Sequence, residues 1–365
     1  MPSSTSPTPT SGRVWEHPRN GHLGPFPGPP VIAFDVGGTH LRCVVVEPDG
    51  TLAHFEKDRI VSVPSGAEPE EVKRVLVETM ADYVARVQPA LEPDSPIAVS
   101  VPAPADRSGV IYTAAPLFGE TCPTFELGER VGRATGRPCH VVNDVSAAAW
   151  YLSERMAADR FLVVTVSSSI GCKVFDRSRR YAVLDDTDYA GEIGHVTVDE
   201  TPDAPRCDCG GRGHLSAVAS GRGVERAVRR AALADQEGFQ ASRCASGGAA
   251  PETLCNEAHI VPAIRAGDPW TMAILRACTH PLGHMLRVIA VATAVERIVV
   301  IGGFARELGN VYLDVLQEIL EENADFAILR PRLRELLWRE AEVPEECLLG
   351  AATYGRAQTM APVAG

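Results

Sequence analysis

With 365 residues, 45% of them apolar and 22% charged, the chain has the composition of a soluble globular protein and exceeds what one hydrophobic core usually organises, so two domains are expected. A net charge of -12 without any long Lys or Arg run argues against nucleic acid as the main ligand. Ten scattered cysteines form no disulfide framework, and no stretch of about 18 uninterrupted apolar residues occurs, so neither a membrane span nor secretion is expected and the setting reads as reducing and cytoplasmic.

In chain order, residues 1–30 are rich in Pro, Ser, Thr and Gly and read as a flexible tail. Two apolar runs around a Gly-Gly turn, "VIAFDVGGTHLRCVVVEPDGTL", predict a β-hairpin from residue 31. Val72, Val75, Leu76, Met80 and Val84 recur at helical spacing behind an acidic first turn, which predicts an amphipathic helix. "PIAVSVPAP" and "PCHVVND" read as short buried strands, and an alanine-rich helix starts straight after the second. The strand–turn–strand pattern then recurs in "RFLVVTVSSSIGCKVFD", and a long apolar helix leads to the strand "RIVVIGG". Strands alternating with helices imply an α/β sheet.

Three segments carry candidate chemistry. In "FDVGGTH", Asp35 ends a buried strand, Gly37 and Gly38 let backbone N–H groups approach a ligand closely, and Thr39 adds a hydroxyl. A phosphate with a hydrated cation near Asp35 fits there, and so does a plain hairpin turn. In "VVND", Asn143 and Asp144 stand where a strand gives way to a helix; that suits an N-cap, and it also suits a general base at the carboxyl end of an α/β strand. Most specific is the set His195, Cys207, Cys209 and His214, two imidazoles and two thiolates with glycines between them. Such a set matches tetrahedral Zn2+, and four protein ligands leave no open position, so the ion would be structural.

Together "IAFDVGGTHLR", "VPAP" with a downstream Asp, "VVNDVSAAA", "AGEIGHVTV", "CDCGGRGHL" and "IVVIGG" resemble the ROK family of repressors, open reading frames and kinases over roughly residues 31–355. The resemblance implies an actin-like (ASKHA) α/β fold of two domains around a cleft: an N-terminal domain over 31–145 with the first phosphate loop, a larger zinc-bearing one over 146–355, and a tail over 356–365. It implies a homodimer that phosphorylates a primary hydroxyl of a sugar-like polyol from ATP with Mg2+. Asp35, Gly37, Gly38 and Thr39 would receive the phosphates with Gly171, and Gly302 and Gly303 would lie under the adenosine. Asp144 would be the catalytic base and Asn143 a hydroxyl ligand beside it. Glu192 and His195 would contact the sugar, His195 giving its other ring nitrogen to zinc.

The chain departs from the family pattern at three places. His214 replaces the third zinc cysteine, "SSSIGCK" at 167–173 replaces a glycine-rich second phosphate loop, and Ser216 stands where the sugar kinases carry a glutamate toward the anomeric end of a hexose. Losing that carboxylate shifts the expected acceptor from glucose to a C7-cyclitol of the valiolone type or a modified sugar. Ordinary glucokinase and a sugar-binding protein without catalysis are the alternatives. A repressor is not expected, because only a Pro-rich segment precedes Val31.

Overall fold

A computed structural model describes residues 28–60, 67–112, 115–118, 124–179, 182–185, 187, 189–322, 324–339 and 345–360. Most of the expected N-terminal tail, residues 1–27, lies outside them, as do residues 361–365. The chain forms two compact units, one over Met1–Arg155 with Val343–Gly365 and one over Met156–Glu342.

The first unit is built on a five-stranded sheet of order β3-β2-β1-β4-β7. β1 (Val31–Val36), β2 (His40–Val46) and β3 (Leu52–Arg59) are an antiparallel meander, and the expected hairpin is its first half. α1 (Pro69–Val87) carries the chain to β4 (Ile97–Val101), which pairs parallel with β1. Its Val72, Leu76, Met80 and Val84 are buried as the spacing predicted, and Tyr83 meets Phe34 of β1 edge-on at 5.4 Å. A two-stranded ribbon of β5 (Val110–Ile111) and β6 (Phe125–Glu126) brackets the short α2 (Ala115–Phe118). α3 (Leu127–Thr135) then leads to β7 (Cys139–Asn143), parallel to β4, and α4 (Asp144–Ser153) follows without a break. Every residue of β1 and β4 is buried, as in a sheet covered on both faces.

The second unit repeats the motif. β8 (Arg160–Val166) and β9 (Ile170–Asp176) are antiparallel, and β10 (Arg297–Ile301) lies parallel to β8 on its other side, as β4 does to β1. Between β9 and β10 come α5 (Leu215–Ala219), α6 (Gly221–Ala234), α7 (Gln236–Ala241), α8 (Val261–Arg265) and the long α9 (Pro269–Thr293). Asp268 caps α9 by accepting from the Thr271 N–H at 2.9 Å. After β10 follow α10 (Gly303–Leu308), α11 (Asn310–Glu321) and α12 (Leu329–Arg334).

The last helix, α13 (Glu346–Met360), returns to the first unit. Leu348, Leu349, Ala351 and Ala352 pack with Val31, Ala33, Val44, Ala147 and Tyr151. A Cβ on Gly350 would stand 1.8 Å from the Ala147 carbonyl oxygen, so only glycine permits this approach of α13 to α4. The structure therefore corrects the expected boundaries. The division falls after residue 155 because α4 buries its apolar side in the first unit, the final helix leaves the second unit for the first, and residues 356–360 are helix rather than tail. No helix among the described residues is long and apolar enough to cross a membrane.

Candidate functional site

Asp35 and the turn after it stand at the carboxyl end of β1. Asp35 is buried, and its Oδ2 accepts from Arg42 Nη1 at 2.6 Å, Arg42 being its register partner on β2. Burial raises the carboxyl above its ordinary pKa against the opposing pull of Arg42. The Gly37 N–H donates to the His40 carbonyl at 2.8 Å and closes the turn. Neither Gly37 nor Gly38 adopts a positive φ, and a Cβ on Gly38 would meet open space, so the turn itself does not demand glycine at 38; what glycine supplies is a bare backbone facing outward. Thr39 is exposed, its Oγ1 2.9 Å from His40 Nδ1.

Asn143 and Asp144 form the junction of β7 and α4. Asn143 Oδ1 accepts from the N–H groups of Val145 at 3.0 Å and Ser146 at 3.3 Å, which makes it the helix cap, and its Nδ2 donates to the Ala103 carbonyl at 3.2 Å and to Asp144 Oδ1 at 3.0 Å. Asp144 Oδ1 also accepts from the Val145 N–H at 2.8 Å. One carboxylate oxygen is thus fixed from two sides while the residue stays half-buried. Asn143 does the capping, and its amide also orients Asp144. The Asp downstream of "VPAP", Asp106, accepts from the N–H groups of Ser108 and Val110 at 2.9 and 3.0 Å and shapes its own turn.

In the second unit, three elements meet round the β8–β9 turn. The Ser167 N–H donates to the Ser169 carbonyl at 3.0 Å, and the Ser167 carbonyl accepts from the Gly221 N–H at the start of α6 at 2.8 Å. Gly302, φ 104°, opens α10; a Cβ there would stand 2.7 Å from the Val166 carbonyl oxygen, and one on Gly303 would be 3.6 Å from Ser167 Oγ. Gly171 does not belong to the turn. It sits inside β9 opposite Thr165, where a Cβ would make ordinary contact with Thr165 Cγ2 at 3.8 Å and the Gly191 carbonyl oxygen at 3.9 Å. The N-termini of α6 and α10 therefore adjoin a serine-lined turn, an arrangement suited to anionic groups.

The AGEIGH segment, residues 190–195, lies against β9. The Cys172 N–H donates to the Gly191 carbonyl at 2.9 Å, and the buried Lys173 ammonium donates to the Ala190 carbonyl. Gly191 has φ 82° and a would-be Cβ 1.7 Å from the Cys172 carbonyl oxygen; the would-be Cβ of Gly194 is 2.0 Å from that of Ile170. The chain passes here only as glycine, and it delivers Glu192 and His195 from one short 3-10 turn. Sequence reasoning singled out neither of these glycines nor Lys173; the motif itself was the available signal. Ser216, at the start of α5, is buried and accepts from the Ile170 N–H at 2.9 Å, so its hydroxyl ties helix to strand.

His195, Cys207, Cys209 and His214 come together as expected, their four donor atoms lying within 4.8 Å of one another. Cys207 Sγ is 3.9 Å from His195 Nδ1, and Cys209 Sγ is 3.2 Å from His214 Nδ1. A tetrahedral ion with bonds of about 2.0–2.3 Å needs donors roughly 3.3–3.8 Å apart, so the set fits one after small side-chain shifts. The 207–211 knuckle is closed by N–H donation from Cys207 to the Gly211 carbonyl at 2.8 Å and from Gly210 to the Cys207 carbonyl at 2.9 Å. Gly213, φ 66°, passes where a Cβ would strike the Asp199 carbonyl at 1.7 Å. While His195 Nδ1 faces the thiols, its Nε2 lies 3.9 Å from Glu192 Oε2, so the two ring nitrogens serve different neighbours.

The model of the ROK family matches residues 31–336. The chain is 35% identical over 342 residues to a C(7)-cyclitol 7-kinase of Streptomyces hygroscopicus subsp. jinggangensis, covering 91% of this chain and 95% of that one. It is 31% identical over 298 residues to a 2-epi-5-epi-valiolone 7-kinase of Actinoplanes sp., covering 77% and 79%. Among solved structures, a ROK family glucokinase from Streptomyces griseus in complex with glucose and AMPPNP superposes with a TM-score of 0.67 at 23% identity, covering 90% of this chain and 99% of that one. The actin-like α/β fold expected from the motifs is thereby borne out.

Proposed function

The chain belongs to the ROK family, and from that premise we propose that it is an ATP-dependent kinase that phosphorylates the primary hydroxyl of a C7-cyclitol of the valiolone type. The observation that carries this reading is the 35% identity to a C(7)-cyclitol 7-kinase along nearly the whole of both chains. Ser216 supports it from within the fold, since that position offers no carboxylate to the anomeric end of a hexose and its hydroxyl already holds the Ile170 N–H.

In this reading Asp144 accepts the proton of the attacking hydroxyl. Asn143 and the Val145 N–H hold one of its carboxylate oxygens, which fixes the orientation of the group. Glu192 and His195 bind ring hydroxyls, and the Gly37–Thr39 turn receives phosphate on backbone N–H groups and a hydroxyl. A divalent cation such as Mg2+ near Asp35 would offset phosphate charge, and Arg42 holds that carboxylate in place. The serine turn with Gly302 and Gly303 holds the rest of the nucleotide. His195, Cys207, Cys209 and His214 would hold a structural Zn2+, and His195, giving one ring nitrogen to that ion, would be fixed in tautomer and orientation as a binding residue. The thiolate ligands suit a reducing cytoplasm, and we read the working form as a homodimer, which light scattering tests.

The test is a panel of acceptors with Mg-ATP: valiolone-type cyclitols, hexoses, aminosugars and N-acetylmannosamine. The reading expects phosphoryl transfer to a cyclitol primary hydroxyl in preference to glucose. Transfer to glucose alone would overturn the acceptor, and ligand binding without ATP binding would favour the sugar-binding alternative.

A further inference from the structure

Between α7 and α8 the chain passes through two 3-10 segments, Arg243–Gly248 and Pro251–Thr253, into one π-helical turn, Asn256–Ile260. The Cys255 carbonyl accepts from the His259 N–H at 3.2 Å and from the Ile260 N–H at 3.1 Å, a widened turn of the kind that gathers at functional sites. It folds the His259 ring back over the start of the turn, where Nδ1 accepts from the Cys255 N–H at 3.2 Å and lies 3.5 Å from Cys255 Sγ. A nitrogen that accepts from a backbone N–H carries no proton, so the neutral ring keeps its hydrogen on Nε2 and presents a lone pair to the thiol. Both side chains are half-buried, within reach of a small reagent. The neighbouring thiol of Cys244 has a different setting: it is buried 3.8 Å from the His259 carbonyl oxygen and 3.4 Å from Thr271 Oγ1, and burial pushes its pKa up.

The segment is tied to α6 on both sides of Cys255. The Leu254 carbonyl accepts from Arg229 Nε at 2.7 Å, the Asn256 N–H donates to Glu225 Oε2 at 3.1 Å, and Asn256 Nδ2 donates to the Gly221 carbonyl at 2.9 Å. Gly221 is the residue whose N–H holds the Ser167 carbonyl of the serine turn. Asn256 Oδ1 is buried and accepts from no described group. Moving Asn256 breaks its bond to Gly221 but relieves an unsatisfied buried oxygen, so this tether is readily released. The amide N–H of a peptide group attached one residue away is a donor of the kind that oxygen lacks.

We propose that Cys255, with His259 as its base, is a thiolation site for a small peptide disulfide, and that the adduct releases the start of α6 from Asn256. The thiol proton passes to His259 Nδ1 and the thiolate attacks one sulfur of the disulfide. A new S–S bond forms at Cys255 as that of the reagent breaks, and the leaving thiolate takes the proton from His259, so one disulfide replaces another with no net oxidation. Any effect on phosphoryl transfer rests on reading the serine turn as part of the nucleotide site; the reactivity of Cys255 does not.

Oxidised glutathione is the probe, with the full chain as wild type and as His259→Gln, and with each adduct located and timed by mass analysis of its peptides. Cys255 of the native wild type is expected to react about tenfold or more faster than in the same chain unfolded in urea, although folding half-buries it, and His259→Gln is expected to lose that advantage while Cys244 stays unlabelled until unfolding. The adduct should raise hydrogen exchange through residues 221–226, and dithiothreitol should restore it. Native labelling of Cys255 no faster than in urea overturns the site without need of a variant, as does an equal rate in a His259→Gln protein of wild-type melting temperature. Labelling with unchanged exchange at 221–226 overturns the release of α6. These readings use neither acceptor nor ATP, so a chain that fails to phosphorylate any cyclitol yet shows them loses the kinase reading and keeps the thiol site.

Discussion

At Gly191 any other residue would drive a Cβ to 1.7 Å from the Cys172 carbonyl in a backbone of φ 82°, so Gly191→Ala should cost roughly 3 kcal/mol or more, visible as a large fall in melting temperature. An alanine variant as stable as the wild type would refute the close approach. Lys173 acts on the same segment from beneath: its ammonium is buried with the Ala190 carbonyl as acceptor, and Lys173→Met should raise the acceptor KM far more than it lowers kcat, with partial recovery in Lys173→Arg. Equal losses in both constants would speak against a positioning role. His40 reports on its surroundings, since partial desolvation and the cations Lys57, Arg59 and Arg42 hold its ring below the ordinary pKa. Removing Lys57 and Arg59 should therefore move its NMR titration to higher pH; no movement would mean these charges do not reach the ring. The glycines of AGEIGH could be read as a motif but not as a steric necessity, because Cys172 and Ile170, the groups they avoid, lie well upstream in sequence.

Elements whose chemistry is local were the most legible. The four metal donors fall within twenty residues, and their types alone define the site, so the knuckle at 207–214 was readable before any fold was known. One zinc per chain is expected on metal analysis, and its removal by chelation should raise hydrogen exchange through residues 195–215 while leaving β8 and β9 protected. Metal-free protein with unchanged exchange there would remove the structural role. The β7–α4 junction was legible only as an ambiguity between cap and base. The hydrogen bonds resolve the capping half: Asn143→Ala should cost about 1 kcal/mol through loss of the cap, and more in activity, because the same side chain orients Asp144. The place of Gly171 in a strand opposite Thr165 was not legible, since it depends on a register that a lone sequence does not display.

Across the whole molecule, the doubled strand–turn–strand unit was visible because each copy is contiguous. The return of α13 was not, because it depends on contacts between residues 346–360 and strands some 300 positions earlier. Deleting the chain after Glu342 should expose Val31, Ala33, Ala147 and Tyr151 and unfold the first unit while the second stays protected from protease; uniform resistance would contradict that division. The central claim, a kinase whose base is Asp144, is tested most directly by comparing Asp144→Asn with the wild type in turnover and in acceptor binding on one cyclitol. The account predicts a fall in kcat of about 10²- to 10⁴-fold with acceptor affinity nearly unchanged, and a variant that turns over at the wild-type rate would contradict it.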